Sequence, residues 1–495
     1  MRLSSEQADR AGGVLLGQAI GDALGVPYEF GPPIELGTAA MIGGGLGPYA
    51  PGEWSDDTQM AVCIAQATAA GPFGQTPLDA VVAAFVRWAR EGASDIGVQT
   101  STVLRQAMDA PENLPAMQAA ALDAAADGRA GNGALMRTSI VGLVALDDPE
   151  RTAQAASDVA RLTHAHHLCV ESSILWSEAV RLAVVEGRLD LRAGVRLLGE
   201  DRRAFWQDAI GQAETQPPAI FGRNGFTVTA LQAAWSAIHS TRHIAGPDHV
   251  EAALQAAIAI GHDTDTVAAI AGGLLGARYG VSGLKTDWTR RVHGWPGLRA
   301  RDLVALALAT AIGELPLDHR KSSMVTGGRP GLAVPHPDDP HVLLGTEADL
   351  ARCADRGVTA VVSLSRVGAD DIASTNVAPG KHVSVWLVDS DDPRKNAHLP
   401  WTIADAARTV SALREGGDRV LLHCVAAEHR TPSVALAYSA LLGKSEGAAE
   451  RIEAAVGHPV DGLLWVTAQG ISASSGPARP CSAVNLDSEG DRSWT

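Results

Sequence analysis

The pattern of apolar and polar residues divides this chain into two parts. From about residue 5 to 318, apolar side chains recur every three to four positions, and Ala, Leu, Arg and Glu are abundant. This period predicts α-helices, of which the clearest span residues 78–90, 151–161, 170–186, 227–239, 250–260 and 300–312. Gly- and Pro-rich loops lie between them. The first part is therefore predicted to be an all-α domain.

Further along the chain, strand-like and helix-like segments alternate. Strands are predicted at 358–364, 383–388 and 419–424, and helices at 347–356, 403–415, 431–442 and 447–456. This alternation predicts a small α/β domain with a central parallel sheet. The predicted division is an all-α domain (1–318), a linker (319–341), an α/β domain (342–470, or beginning near 325) and a disordered tail (471–495).

Composition narrows the class of protein. The 495 residues predict more than one domain, and a net charge of −16 disfavours nucleic-acid binding through phosphate contacts. Five cysteines show neither zinc spacing nor a paired framework, which is typical of a reducing cytosol. The polar N-terminus does not resemble a signal peptide, and no apolar run is long enough to cross a membrane. We therefore expect a cytoplasmic protein without a membrane partner.

Two short acidic stretches each precede an apolar, helix-like run. Residues 55–58 are Ser-Asp-Asp-Thr, and residues 263–266 are Asp-Thr-Asp-Thr. A single Asp or Thr at a helix start is commonly a cap, but neighbouring carboxylates repel one another and favour a cation between them. Oxygen ligands suit Mg²⁺ or Mn²⁺ rather than zinc. If the two helix starts face each other, they offer enough carboxylates for two ions.

Six motifs, taken in order, resemble the ADP-ribosylglycohydrolases over most of residues 8–315. They are Gly17–Gly25 with Glu29, Ser55–Thr58, Ser94–Gly97, Gly131–Arg137, Thr163–His164 and Asp263–Thr266. The resemblance implies an all-α fold with a two-magnesium centre and cleavage of the glycosidic bond between ADP-ribose and a modified side chain or related adduct. It implies the metal ligands Ser55, Asp56, Asp57, Asp263, Asp265 and Thr266. Ser55 stands where many members have Thr, and His262 where Gly is common.

The same resemblance suggests roles for polar residues outside the two acidic stretches. Glu29 and Asp95 are the remaining carboxylates for proton transfer, although a solvated loop charge and a helix cap are their ordinary alternatives. Asn132 and Gly133 lie in a Gly-rich turn whose backbone N–H groups can bind a diphosphate, with an ordinary turn as the alternative. His164 is expected to contact ADP-ribose, whereas the neighbouring His166 and His167 are expected to be structural or exposed.

The predicted α/β domain contains a motif of a different kind. Residues 423–431 follow a predicted strand, open a helix, and resemble the Cys-x5-Arg loop of protein-tyrosine and dual-specificity phosphatases. In such loops, N–H groups at a helix N-terminus bind phosphate and favour a nucleophilic thiolate. The resemblance implies Cys424 as nucleophile, Arg430 as phosphate ligand and Thr431 as the group that eases thiolate release.

The general acid and the loop composition leave alternatives open. Asp389 matches the position of the acid, and Asp391 and Asp392 compete with it. Ala427 replaces the usual Gly, and Glu428 adds a negative charge near the expected phosphate. The loop can therefore belong to a slow or specialised phosphatase, to a phosphate-binding module, or to a chance match.

Together these patterns predict a bifunctional enzyme. Its expected partners are an ADP-ribosylated protein or ADP-ribose-containing small molecule, and a phosphorylated substrate for the C-terminal domain. The alternative is a catalytically weak ADP-ribose-binding module tethered to a cysteine phosphatase. A purely structural role is disfavoured by the complete acidic set.

Overall fold

The computed structural model describes residues 3–71, 76–313 and 330–474. Within them, no helix combines the length and apolar character that a membrane span requires. The first two ranges form a largely helical region, as the apolar period predicts, with one short antiparallel ribbon (β1, His293–Gly294; β2, Leu298–Arg299). Its helices are α1 (Ser5–Gly25), α2 (Asp56–Ala70), α3 (Leu78–Glu91), α4 (Val98–Met108), α5 (Asn113–Ala126), α6 (Pro149–Arg161), α7 (His167–Glu186), α8 (Glu200–Thr215), α9 (Thr227–Ser240), α10 (Asp248–Ala259), α11 (Thr264–Tyr279), α12 (Thr286–Arg291) and α13 (Ala300–Ile312).

Helices α1 and α11 pack backbone against backbone at the centre of this region. Gly17 of α1 lies so close to α11 that a Cβ at this position would collide with the carbonyl oxygen of Gly272. Near the end of α1, a Cβ on Gly25 would collide with the backbone of Asp265. The two helices are therefore antiparallel, and the C-terminal end of α1 lies beside the N-terminal end of α11. Small residues bring the acidic start of α11 against α1.

The C-terminal region is a five-stranded sheet with flanking helices. The strand order is β3-β4-β7-β5-β6; β3 and β4 are antiparallel, and the other neighbouring pairs are parallel. The sheet is therefore mixed, which corrects the predicted parallel sheet at one edge. The elements are β3 (Val334–His336), β4 (Asp339–Gly345), β5 (Ala360–Ser363), α14 (Ala369–Ser374), β6 (His382–Ser384), α15 (Leu399–Glu415), β7 (Val420–His423), α16 (Arg430–Leu441), α17 (Ala448–Val456) and α18 (Gly462–Ser474).

Three segments differ from their predictions. The predicted linker 319–341 contains β3 and the start of β4, while its residues 319–329 lie outside the described residues. Pro335 argued against a strand here, because proline lacks the backbone N–H that pairs strands. An edge strand such as β3 tolerates proline, because one side of its backbone is unpaired. The predicted helix 347–356 consists of two short 3₁₀ segments. Helix α18 runs into the predicted tail, whose residues 475–495 lie outside the described residues.

Side chains of α15 join the two regions. Asp405 is buried, and its carboxylate accepts hydrogen bonds from the backbone N–H (2.8 Å) and the hydroxyl (2.6 Å) of Thr286, so it caps α12 across the junction. The Thr402 hydroxyl donates to the carbonyl of Ser282 at 3.1 Å. These buried polar contacts hold the sheet region in one orientation against the helical region.

Candidate functional site

The two acidic stretches meet in space. Helix α2 begins at Asp56, α11 begins at Thr264 directly after Asp263, and both starts lie beside the end of α1. Burial raises the pKa of Asp265 well above its usual value, and the charges of Asp57, Glu29 and Asp263 raise it further. Carboxylates from distant parts of the chain are therefore close enough to repel one another.

Asp22 of α1 fixes the first stretch. Its buried carboxylate accepts from the backbone N–H groups of Ser55 (2.8 Å) and Thr58 (3.0 Å) and from the Thr58 hydroxyl (2.6 Å). Ser55 occupies the N-cap position of α2 but makes no capping bond; Asp22 supplies that function from another helix. Burial raises the pKa of Asp22 to about 6. Asp22 lies within the first motif, and its presence on an apolar, Gly-rich helix is the sequence signal for a buried polar role.

Two asparagines fix the second stretch. The Asn132 amide donates to the Asp263 carboxylate at 2.7 Å and to the Asn224 carbonyl at 3.0 Å. The side-chain oxygen of Asn224 accepts from the Asp263 backbone N–H at 3.1 Å. Asn132 thus orients Asp263, and its predicted contact with the substrate stays a prediction. Asn224 carries no charge and lies outside the recognised motifs, and sequence reasoning missed it.

The residues present fit a divalent cation. Oxygens from Glu29, Asp263 and Asp265 lie within 4.8 Å of one another, and two oxygens bound to one Mg²⁺ can be about 4 Å apart. The Oδ1 atom of Asp57 is buried without a hydrogen-bond partner among the described residues, which is costly for an anion that has no cation. The Ser55 hydroxyl is also buried, and it donates to the other oxygen of Asp57 at 3.2 Å. An oxygen-only set of this kind can hold Mg²⁺ or Mn²⁺.

The remaining predicted ligands belong to the same cluster. Burial raises the pKa of Asp56 well above its usual value. The negative charges of Asp95, Asp22 and Asp263 raise it further. Thr266 is buried in the first turn of α11, and its backbone N–H donates to Asp265 at 2.9 Å. All six predicted ligands therefore lie at the two facing helix starts.

Glu29 and Asp95 both face the acidic cluster. Glu29 is partly buried, and burial raises its pKa to about 8, with further contributions from Asp263 and Asp95. Its proximity to Asp263 and Asp265 excludes a merely solvated loop charge. Asp95 does not cap a helix, because α4 has Gly97 as its N-cap and no side-chain capping bond. The roles of both residues in proton transfer stay predictions.

His262 has a left-handed backbone, with φ of 62°. Glycine adopts this conformation without steric cost, whereas a residue with a Cβ does so at a cost. The carbonyl of His262 accepts from the Phe30 N–H at 2.7 Å, which ties the loop after Glu29 to the start of α11. The His262 side chain is exposed at the edge of this loop.

His164 lies behind the Gly-rich turn. Its side chain is 2% exposed, and Nδ1 is 2.8 Å from the Thr163 hydroxyl. A Cβ on Gly133 would lie 2.9 Å from the His164 ring, so only glycine fits there without movement. Burial, and then the nearby Arg137 charge, lower the His164 pKa to about 3. This placement supports the turn; direct contact of His164 or Gly133 with ADP-ribose stays a prediction.

The cysteine loop lies at the carboxyl end of β7. Cys424 is buried, and its Sγ accepts a hydrogen bond from the Ala427 N–H at 3.2 Å. Ala427 has a φ of 57°, the left-handed conformation that explains why glycine is usual at this position. The Glu428 side chain is exposed. The backbone therefore folds around the sulfur despite the Ala.

Of the three candidate acids, Asp389 faces this loop. One of its oxygens lies 3.5 Å from Nε of Arg430, and the other accepts from His429 at 3.0 Å. Asp391 instead accepts from the N–H of Leu463 in the first turn of α18, and Asp392 caps the short 3₁₀ segment Pro393–Lys395. The latter two therefore have structural roles.

Arg430 and Thr431 occupy the first two positions of α16. The Arg430 guanidinium donates to the carbonyl of Leu364 at 2.8 Å and lies 3.4 Å from that of Leu387. Thr431 is fully buried, and its hydroxyl has no hydrogen-bond partner among the described residues. The roles of both residues in catalysis stay predictions.

Comparison with known proteins decides the family. The family model for ADP-ribosylglycohydrolase matches residues 3–317, more than half of the chain. This chain belongs to the ADP-ribosylglycohydrolase family.

Two relatives within the family match the helical region. ADP-ribosylarginine hydrolase Tri1 of Serratia proteamaculans (strain 568) is 27% identical over 284 residues, which cover 57% of this chain and 75% of that protein. ADP-ribosyl-[dinitrogen reductase] glycohydrolase of Rhodospirillum rubrum is 27% identical over 293 residues, which cover 57% and 90%. The structure of Tk-PTP in the active form covers 28% of this chain at 15% identity and a TM-score of 0.23, too slight a likeness for a conclusion.

Proposed function

We propose that the helical region hydrolyses the glycosidic bond between ADP-ribose and a modified protein side chain or related adduct, with Mg²⁺ at the acidic site. The observation that carries this proposal is the convergence of the two helix starts, with the unpartnered Asp57 oxygen between them. The names of the relatives, an ADP-ribosylarginine hydrolase and a dinitrogen reductase glycohydrolase, support the substrate class.

The ligands we assign are Ser55, Asp56, Asp57, Asp263, Asp265 and Thr266, a set large enough for two ions. When bound, divalent cations would orient the ribose hydroxyls and activate a water molecule as the nucleophile. Glycoside cleavage also needs a carboxyl group that delivers or removes a proton. Glu29 is one candidate for proton transfer, because its carboxyl group lies beside Asp263 and Asp265 in the acidic cluster. Asp95 is the second candidate for proton transfer.

A hydrolysis screen over defined linkages tests the proposal. ADP-ribosyl-arginine, ADP-ribosyl-serine and other adducts would be incubated with full-length protein and Mg²⁺, with and without a chelator. We expect ADP-ribose release from at least one linkage and its loss with the chelator. An unchanged rate in chelator would contradict the metal assignment.

The variant Asp263→Ala distinguishes the hydrolase from the ADP-ribose-binding module. If it abolishes turnover while leaving affinity for ADP-ribose intact, Asp263 acts in hydrolysis. Loss of affinity alone would favour the binding module.

A second function is proposed for the C-terminal region, with residues 342–470, extended to include β3, as its domain. The specific observation is the Ala427 N–H directed at Cys424 Sγ, with Asp389 and Arg430 alongside. This arrangement favours a cysteine phosphatase-like activity in which Cys424 attacks the phosphorus of a phosphate ester and displaces its alcohol.

A phosphatase assay tests this second function. We expect the wild type to release phosphate from p-nitrophenyl phosphate and Cys424→Ser to release none. Cys353→Ser is the matched control, because Cys353 is buried in a separate apolar cluster. Equal rates for Cys424→Ser and wild type would refute this activity.

A further inference from the structure

A cavity of about 690 Å³ lies at the junction of the two regions. One wall consists of α12, α13 and the segments before them, and the other follows the carboxyl ends of β5 and β6. Residues 365–368, 385–389 and Val425, which directly follows Cys424, form the second wall. Ligands of open parallel sheets bind at this edge. Here the helical region closes over that edge, so the cavity exists only in the joined protein.

The charged side chains of the cavity are mainly cationic. Two carboxylates, Asp302 and Asp389, lie among the lining residues, and Asp389 faces Arg430. Against them the lining contains five arginines: Arg290, Arg299, Arg301, Arg366 and Arg430. Such a concentration contrasts with the chain's net charge of −16. An excess of guanidinium groups favours an anionic ligand, and phosphate most of all, because the fork of N–H donors matches its oxygens.

Arg299 and Arg366 are the arginines best placed to serve a ligand. Arg299 is partly buried, and burial lowers its pKa. The Arg366 guanidinium lies 5.0 Å from the centre of the Trp386 ring. Neither forms an ion pair with a carboxylate in the part of the chain that the structure describes. By contrast, Arg290 is paired with Asp287 at 2.5 Å, which leaves it less available.

The rest of the lining favours an organic group attached to that phosphate. Val304, Val367, Ile372 and Trp386 supply an apolar surface beside the arginines. A volume of this size is typical of sites for drug-sized ligands, which are roughly 300–1,000 Å³. A free inorganic ion would leave most of the cavity unfilled. A molecule the size of a nucleotide would use both the apolar and the cationic surfaces.

We propose that this interdomain cavity binds a small phosphate ester of nucleotide size, with Arg299 and Arg366 as phosphate ligands and Trp386 against its organic part. Binding depends on the cavity alone. The further step, presentation of the same phosphate to Cys424, rests on the proposed phosphatase function. The hydrolase region therefore supplies part of the specificity of the C-terminal region, by restricting access to small molecules.

Calorimetry on full-length protein with adenosine 5′-monophosphate, in the presence of a chelator, tests the proposal. We expect binding of the monophosphate and roughly tenfold or greater weakening for adenosine, which has no charged phosphate. Arg366→Ala and Arg299→Ala should each weaken binding to a similar extent. Arg394→Ala is the control, because Arg394 is exposed and pairs with Asp392 outside the cavity. Unfolding temperatures would verify that each variant folds, and Arg299→Lys would retain the charge.

The outcomes separate this site from the two active sites. If Cys424→Ser binds the monophosphate but releases no phosphate, the cavity and the phosphatase proposal both stand. If Cys424→Ser retains wild-type phosphatase activity while binding follows the arginines, only the phosphatase proposal fails. Absence of binding, equal binding of adenosine, or wild-type affinity in both arginine variants would overturn the cavity proposal. The proposal would also be overturned if Asp263→Ala lost binding while Arg366→Ala bound as the wild type does. The ligand would then lie at the acidic site.

Discussion

The acidic site and the cysteine loop are opposite solutions to the placement of charge at a helix start. At α2 and α11, carboxylates gather where the helix N-termini already attract anions, and an unpartnered Asp57 oxygen is buried among them. At α16, the same kind of helix start presents a thiol, backbone N–H groups and Arg430. The first arrangement suits a cation, and the second suits an anion. Two chemically distinct ligands are thus expected within one chain.

The difference also concerns how each site is held. Side chains from separate helices, including Asp22 and Asn132, fix the acidic site. A continuous strand–loop–helix segment forms most of the cysteine loop. Long-range packing should therefore affect the first site strongly, whereas local backbone conformation should dominate the second.

Asp57→Asn should have the largest effect. Mutation of a residue that only hydrogen-bonds a metal ligand typically lowers activity roughly 10–100-fold. Loss of a ligand itself should reduce ADP-ribose release by more than that. Because the buried carboxylates repel one another, the metal-free variant should unfold at a higher temperature than the metal-free wild type. Mg²⁺ should stabilise the wild type but not the variant. Asp79→Ala, on the exposed side of α3, is the control. A normal Mg²⁺ response in Asp57→Asn would contradict the ligand assignment.

Gly17→Ala should break the packing that gathers the acidic site. Its Cβ would meet the Gly272 carbonyl, so we expect a loss of roughly 1–3 kcal/mol or more in the free energy of unfolding. The matched control is Gly211→Ala in α8, where the nearest atom is the flexible end of Arg192 at 3.5 Å. That change should stabilise the helix by roughly 0.5–1 kcal/mol. Thermal unfolding of both variants would measure the contrast, and equal effects would refute the role assigned to α1–α11 packing.

Asn132→Ala should weaken the acidic site without removing a ligand. Without its hydrogen bond, Asp263 loses orientation, and we expect Mg²⁺ affinity to fall roughly 10–100-fold. Calorimetric titration of Mg²⁺ would measure the fall. Gln154→Ala, exposed on α6, should bind Mg²⁺ as wild type does. Wild-type Mg²⁺ affinity in Asn132→Ala, with loss of activity alone, would instead favour a direct substrate contact.

Ala427→Gly should have the smallest effect and an opposite sign. Glycine adopts the left-handed conformation of residue 427 without strain, which should stabilise the protein. Glycine also has greater entropy in the unfolded chain, which offsets part of this gain. We expect a net increase of about 1 kcal/mol or less in the free energy of unfolding. Ala404→Gly within α15 is the control and should destabilise by roughly 0.5–1 kcal/mol. Thermal unfolding distinguishes them. Equal destabilisation by both substitutions would show that the Ala427 backbone is unstrained.

How far the sequence predicts the molecule depends on the type of signal. Helix positions follow from the apolar period, and α13 has the predicted bounds of 300–312. The two acidic stretches are visible because charges next to apolar runs are unusual. Their meeting depends on the spaced glycines of α1, such as Gly17 and Gly25, and no local pattern gives that three-dimensional consequence.

Other features gave no readable signal before the structure was known. Asn224 is neutral and buried, so only its bond to Asp263 shows its role. The β3–β4 hairpin was obscured by Pro335, and α18 by the Ser- and Gly-rich sequence that follows it. The sequence put Asp389 ahead of its two neighbours by its position after the strand, and the distance to Arg430 separates it from them in space.

Anomalous scattering from crystals grown with Mn²⁺ tests the central claim most directly. Mn²⁺ replaces Mg²⁺ at oxygen sites and can be located by its own signal. The account predicts one or two Mn²⁺ peaks between the starts of α2 and α11, bonded to oxygens of Asp57 and Asp263. A fully soaked crystal with no peak there, or with Mn²⁺ bound elsewhere only, would contradict it.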